Sequence, residues 1–330
     1  MDREFHYEMT YLIAAMSGFS FEDSRIIAAS CQLVDDNTER FTVDPGCPGE
    51  FHNYISQMND LAKPVLRLMR LYPVFHFPPG DPLAESAARK DGRTHPLVTT
   101  PGGEHARTML GRALASRDPY RIGVAAHVFA DSYSHQNFTG SYDAYNACPG
   151  GLGPAVCHFQ AGEAPDTPGL VWTDARLVHD RVDNRTRFLD AARGLGSLFL
   201  EAVSPEMKAG ARRGKIAGLL EVLDDCMAAG PAGGSFSREA CLRRCREVAG
   251  LPLFGGAAIP EYDPTAWFDQ AVERRESGYF RRNPQAGGQP AWFRFQTAVK
   301  THQGEALSLL AESHFPALLR PDGRPDLRAY

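Results

Sequence analysis

Residues 121–138, RIGVAAHVFADSYSHQNF, place His127, Asp131 and His135 at successive four-residue intervals inside a run that is otherwise apolar. At about 100° per residue the three side chains share an arc of roughly 80° on one helix face, so their nitrogen and oxygen atoms converge. Asp118-Pro119 starts that helix, as a cap followed by proline at the first helical position. Ile122, Val124, Ala125, Ala126, Val128 and Phe129 make the rest of the helix apolar, so its polar residues interrupt a buried stripe. A buried charge without a partner is costly, and metal ligation is one remedy. The chain must therefore wrap a core around this helix and bring further polar groups to one point on it.

A second pair, His179 and Asp183 in LVHDRVDNRTRF, repeats the four-residue spacing, and the apolar stripe around it predicts a helix from Asp174 to about Ala202, capped by Thr173. Imidazole nitrogen and carboxylate oxygen are the ligand set that zinc favours. Further candidates stand earlier: His6 at the start of a first helix over 7–16, Asp35 and Asp36 at the end of a second helix opened by Ser20, and His76 in FHFPPG, with His52 in reserve. A third helix is expected over 50–71, bent at Pro64, and others at 103–116, 206–228, 237–248, 265–278 and 291–312. Prolines 73, 78, 79 and 82 forbid regular structure there, and residues 139–170 read as a long functional loop. With no convincing alternating strands, the fold class is all-α, a multi-helix bundle with long irregular loops. A seam near Ala229–Gly234 divides a helical metal-binding body, 1–228, from a C-terminal helical extension packed on it, 229–330, unless the two form one domain.

Composition narrows the class of function. At 330 residues, 43% hydrophobic and 23% charged, with a net charge of -5, the chain is an ordinary globular protein without the basic surface of a duplex binder. Seven cysteines with no C-x-x-C pair argue against a zinc ribbon or a disulfide framework and favour free thiols in a reducing cytoplasm. The acidic start MDREFHYE lacks the basic region of a signal peptide, and no apolar run reaches the roughly 18 to 20 residues of a membrane span. A cytoplasmic location follows, with export by a non-classical route still open.

The order His6, Asp35/Asp36, His76, His127-x-x-x-Asp131, His135, His179-x-x-x-Asp183 resembles the zinc-dependent phospholipase C and S1/P1 nuclease superfamily over about residues 1–200. EFHYEMTYLIAAMSGFS, ASCQLVDDNTE and FHFPPG are also similar to a bacterial family of unknown function that resembles a distant branch of it. The resemblance implies two or three zinc ions. Asp35 or Asp36, His76, His127 and Asp131 would hold one, His135, His179 and Asp183 a second, and His6 with a bridging Asp131 a third. A spare carboxylate of Asp35/Asp36 would orient the attacking water or act as base. The implied activity is hydrolysis of a phosphodiester or phosphomonoester, in a phospholipid head group, a nucleotide or single-stranded nucleic acid. The alternative is a non-catalytic helical protein that keeps a metal and binds a ligand or partner, distinguished by whether the ions keep a water-accessible position.

Other residues read more plainly. His302 and His314 fit ordinary helix positions, His95 and His105 lack partner spacing, and His158, after Cys157 in the long loop, reads as an ordinary loop histidine ahead of the alternative that it lines the mouth of the site. Arg181, Arg185 and Arg187 read as a solvated basic face rather than phosphate contacts, and Trp267, Phe268 and Phe280 as packing residues.

Overall fold

The computed structural model describes residues 1–58, 70–229, 236–275 and 280–314. Residues 59–69 of the helix expected over 50–71, with its bend at Pro64, and most of the seam at 229–234 lie outside these residues; the described start of that helix is not helical, since Phe51–His52 is a strand. The chain is mostly helical, about 54%, with a few small strands.

A π-helical entry, Glu4–Met9, runs into α1, Thr10–Ser17, which ends where Gly18 takes φ 103°. In α2, Phe21–Asp36, the Ser20 hydroxyl accepts from Asp23 N, as a helix cap should. Next come α3, Glu104–Ser116, and α4, Pro119–Ser134, where Asp118 accepts from Tyr120 N and proline occupies the first turn. The later helices are α5, Asn184–Val203; α6, Ala209–Ala228; α7, Arg238–Ala249; α8, Ala266–Ala271; and α9, Ala291–Ser313.

Helix α4 is the axis of the molecule. From Ile122 to Ser134 every residue is buried, and α2, α3, α5 and α9 surround it. The closest approach is to α2: a Cβ on Gly123 would lie 2.4 Å from the Ile27 carbonyl oxygen and 2.5 Å from Ser30 Cβ. Only glycine lets the two backbones meet, and one turn further along this contact brings the Cys31 carbonyl to His127. One apolar core joins α1, α2, α4, α5, α6 and α7 through residues such as Phe5, Ile27, Phe129, Phe188 and Leu223. A second joins Val34, Phe75, Phe77, Val124 and Phe138 to Phe295, Val299 and Leu307 of α9, so the last helix packs on the same body.

Besides Phe51–His52, two segments depart from the helical expectation. Val171–Thr173 and Arg181–Asp183 form an antiparallel hairpin, β3 and β4, with Trp172 opposite Val182, where the helix over 174–202 was expected to begin. The V-W-T and R-V-D triplets alternate as strands do, and the helix starts only at Asn184, with Asp183 as its cap accepting from Thr186 N. The helix expected over 265–278 stops at Ala271 and becomes β5, Val272–Arg274, paired antiparallel with β6, Phe280–Arg282. β6 also lies parallel to β1, Thr42–Val43, which pairs with β2, Phe51–His52. Phe41, Phe268, Phe280 and Trp292 pack together beside this small sheet, and Trp267 lies against Tyr120 and Phe295, the packing role read for these aromatics. All seven cysteines are free thiols. Among the described residues no helix is long and apolar enough to cross a membrane.

Candidate metal centre

Helix α4 delivers His127 and Asp131 to the interior and ends at His135. The π-helical entry adds His6, α2 adds Asp35, and the turn Tyr72–His76 adds His76. Asp131, 1% exposed, is the hub: its Oδ2 lies 3.1 Å from both His76 Nδ1 and His127 Nε2, and its Oδ1 lies 3.1 Å from His6 Nε2 and 2.5 Å from the Met1 amino nitrogen. Asp35 Oδ1 closes the first set at 3.7 Å from both His76 Nδ1 and His127 Nε2. A further set stands beside it: Asp166 lies 2.9 Å from His135 Nε2, 3.3 Å from His158 Nε2 and 3.1 Å from the Met1 nitrogen. A tetrahedral ion with nitrogen and oxygen ligands at about 2.1 Å holds its donors about 3.4 Å apart, which is the scale of these separations. The sets Asp35/His76/His127 and His135/His158/Asp166 each converge closely enough to share one ion.

The outer nitrogens explain why the inner ones converge. His127 Nδ1 donates to the Cys31 carbonyl at 2.9 Å, His76 Nε2 to the Ser56 carbonyl at 3.0 Å, His135 Nδ1 to the His76 carbonyl at 2.8 Å, and His158 Nδ1 to the Gly162 carbonyl at 3.0 Å. A carbonyl can only accept, so each neutral ring carries its proton on the outer nitrogen and turns a bare lone pair inward. His76 Nδ1 and His127 Nε2 then face each other at 3.1 Å, with a carboxylate oxygen 3.1 Å from both. Three acceptors in a triangle, in rings no more than 2% exposed, require positive charge between them. Outer hydrogen bonds of this kind are what hold ligating histidines in place.

With protons alone to supply that charge, the groups are strongly perturbed. Burial opposes charge on His127, yet the carboxylates of Asp131 and Asp35 hold its imidazolium well above the usual range. Burial works against the Asp131 carboxylate, but His135, the Met1 amine and His127 hold it well below the ordinary value. Asp166 is held low against its burial by the Met1 amine, His158 and His135. His6 moves the other way, pushed down by burial and by the charge on His127. The centre opens on a cleft of about 520 Å³, into which Asp35, His76, His135, His158 and Asp166 project, with Arg3, Arg238, Gln32, Met58, Tyr72 and Phe159 among its other walls.

Residues 1–310 match DUF6765, a family of unknown function. The chain belongs to that family. No curated protein and no solved structure matches it.

In this DUF6765 chain the structure gathers His6, Asp35, His76, His127, Asp131 and His135 as the sequence order implied, and corrects three other assignments. His179 is 76% exposed and faces Glu85 at 3.8 Å, and Asp183 caps α5; their four-residue spacing falls on a hairpin, where it brings no atoms together. Asp36 is turned away, accepting from the Tyr262 hydroxyl at 2.6 Å and from Gln32 Nε2 at 3.2 Å, which leaves Asp35 as the inward carboxylate. The reserve candidate His52 pairs with Glu50 and is 68% exposed. Asp166 was missed, and His158, considered for the mouth of the site, was set aside; both lie in the long loop. Eight residues apart on irregular backbone, they carry no periodic signal, and the length of the loop was the sole pointer to them. Arg185 is held by Asp224 and Arg187 donates to the Ser134 carbonyl; neither they nor Arg181 line the cleft. His95 pairs with Asp143 at 3.4 Å, and His302 donates to the Val74 carbonyl at 3.2 Å in the core.

Proposed function

We propose that this chain is a zinc-dependent phosphoesterase, all-α in the manner of the phospholipase C and S1/P1 nuclease superfamily. The reading rests on one observation above others: the triangle of His76 Nδ1, His127 Nε2 and Asp131 Oδ2, each about 3.1 Å from the next with every outer ring nitrogen committed to a carbonyl, is satisfied by a cation at its centre. Asp35, His76, His127 and Asp131 would hold one ion, His6 and Asp131 a second, and His135, His158 and Asp166 a third, in place of the His135, His179 and Asp183 set implied by the resemblance. Zinc bound there would lower the pKa of a coordinated water from about 15.7 toward about 7 and so supply hydroxide for attack on phosphorus at neutral pH.

The chain's own groups have distinct parts in this scheme. With Asp36 turned away no spare carboxylate remains; Asp35, 28% exposed on its side chain and facing the cleft, would ligate through Oδ1 and leave its second oxygen to orient a water or take its proton. His135, His158 and Asp166 line the cleft beside it, so ions held by the two sets would flank one substrate phosphate. Opening of the donors to the cleft favours catalysis over a closed structural site, which would be fully coordinated by protein. The test is hydrolysis of bis-p-nitrophenyl phosphate by zinc-loaded protein. We expect turnover that Asp131→Ala abolishes while helicity is retained. Zinc bound with no turnover of this diester, a phosphomonoester, phospholipids or single-stranded nucleic acid would favour the non-catalytic alternative.

A further inference from the structure

Four of the five histidines are steered by backbone carbonyls; His6 is the exception. Its Nδ1 meets Cys31 Sγ at 3.4 Å, and both side chains are fully buried. The same sulfur lies 3.8 Å from Thr10 Oγ1, whose own proton goes to the Phe5 carbonyl at 2.9 Å, so a lone pair of Thr10 is left facing the thiol. The Cys31 carbonyl meanwhile takes the His127 Nδ1 proton, and the His6 and His127 rings stack with centroids 4.0 Å apart. One residue of α2 thus touches the outer nitrogens of two histidines in the centre.

His6 Nδ1, Cys31 Sγ and a His127 nitrogen are near enough to share an ion of their own. His127 argues against that use. Its Nδ1 proton is committed to the Cys31 carbonyl and its Nε2 faces Asp131, which leaves no nitrogen for an ion on the sulfur side.

We propose instead that Cys31 is a positioning residue whose thiol exchanges donor and acceptor roles with His6 as a metal ion enters and leaves. This rests on the reading of the centre as a metal site. Without the ion, His6 Nε2–H donates to Asp131 Oδ1 at 3.1 Å, Nδ1 is a bare lone pair, and Cys31 S–H donates to it. With an ion on Nε2, the neutral ring keeps its single proton but carries it on Nδ1. One N–H bond breaks and one forms, the sulfur becomes the acceptor, and its own proton turns to Thr10 Oγ1. A carbonyl could serve only the second state, because it cannot donate; a thiol serves both. In a pocket closed to water, this keeps His6 Nδ1 satisfied and the ring fixed through loading and release.

The experiment is ¹⁵N-histidine NMR, with zinc affinity from chelator competition, on wild type, Cys31→Ser, Cys31→Ala and Cys226→Ala, each metal-free and zinc-titrated. Cys226 is equally buried but lies in α6 away from the centre, so its variant controls for a lost core sulfur. Wild type and Cys31→Ser should show His6 as the Nε2–H tautomer without zinc and the Nδ1–H tautomer with it. Cys31→Ala should give mixed tautomers and a zinc affinity lower by on the order of 10- to 100-fold, with Cys226→Ala unchanged. Wild-type tautomers and affinity in Cys31→Ala would overturn the proposal, as would a serine variant that fails like alanine. A wild-type chain that takes up no zinc would sink the metal reading and the exchange with it, while the metal-free spectra would still decide whether Cys31 fixes the His6 ring.

Discussion

Replacing Gly123 by alanine tests how the fold builds the centre. The added Cβ would sit 2.4 Å from the Ile27 carbonyl oxygen and 2.5 Å from Ser30 Cβ, against an ordinary contact of about 3.4 Å, so α2 and α4 must part by about 1 Å. A gap of that size forfeits a quarter to a half of each dispersion contact along the seam, and overpacking of this kind costs about 1 to 3 kcal/mol. Alanine returns at most about 1 kcal/mol in helix propensity. The net expectation is a loss of up to about 2 kcal/mol, read by thermal or urea unfolding of the metal-free protein. The same parting stretches the 2.9 Å bond from His127 Nδ1 to the Cys31 carbonyl, so zinc affinity should fall about tenfold as well. Gly111 is the control: it lies within α3 with nothing inside 4 Å of its Cβ position, and Gly111→Ala should stabilise by about 0.5 to 1 kcal/mol. If Gly123→Ala stabilises as Gly111→Ala does, the close approach that positions His127 is wrong.

Two further outcomes follow from the site and the core. His158→Ala and Asp166→Ala should each lower zinc content, whereas His179→Ala should leave it unchanged and Asp183→Ala should cost about 1 kcal/mol through the lost helix cap with no loss of metal; elemental analysis beside unfolding curves separates the four. His302, buried and bonded to the Val74 carbonyl, is pushed by burial to about 3, and His105, buried with neither ring nitrogen bonded, to about 4. Both folded values lie below the unfolded value, so their contribution is complete above about pH 6.5 and is lost as pH falls toward 3, by at most about 8 kcal/mol in total. His302→Gln should flatten the pH dependence of stability in that window for chelator-treated protein, and an unchanged slope would refute the assignment.

What could be read from sequence was what a regular backbone makes periodic. Asp118-Pro119 marked the start of α4, and the spacing of His127 and Asp131 means convergence there because the backbone is helical. The same spacing in His179 and Asp183 carried no such meaning, since i and i+4 lie on one face only if the residues between them are helical. His158 and Asp166 meet because Cys157 takes φ 50° and the chain makes a tight turn at Phe159–Ala161, features set by tertiary packing rather than pattern. The choice between Asp35 and Asp36 was likewise beyond a local reading: Tyr262, 226 residues further along, takes Asp36 and leaves Asp35 to the histidines.

The most direct test of the account is the zinc content of the purified wild-type chain, measured by elemental analysis after saturation and removal of free ion. The account predicts about two to three equivalents per chain, falling in Asp131→Ala by more than in His158→Ala because Asp131 reaches two of the donor sets. A folded chain that carries no metal and takes none up on addition of zinc would contradict it.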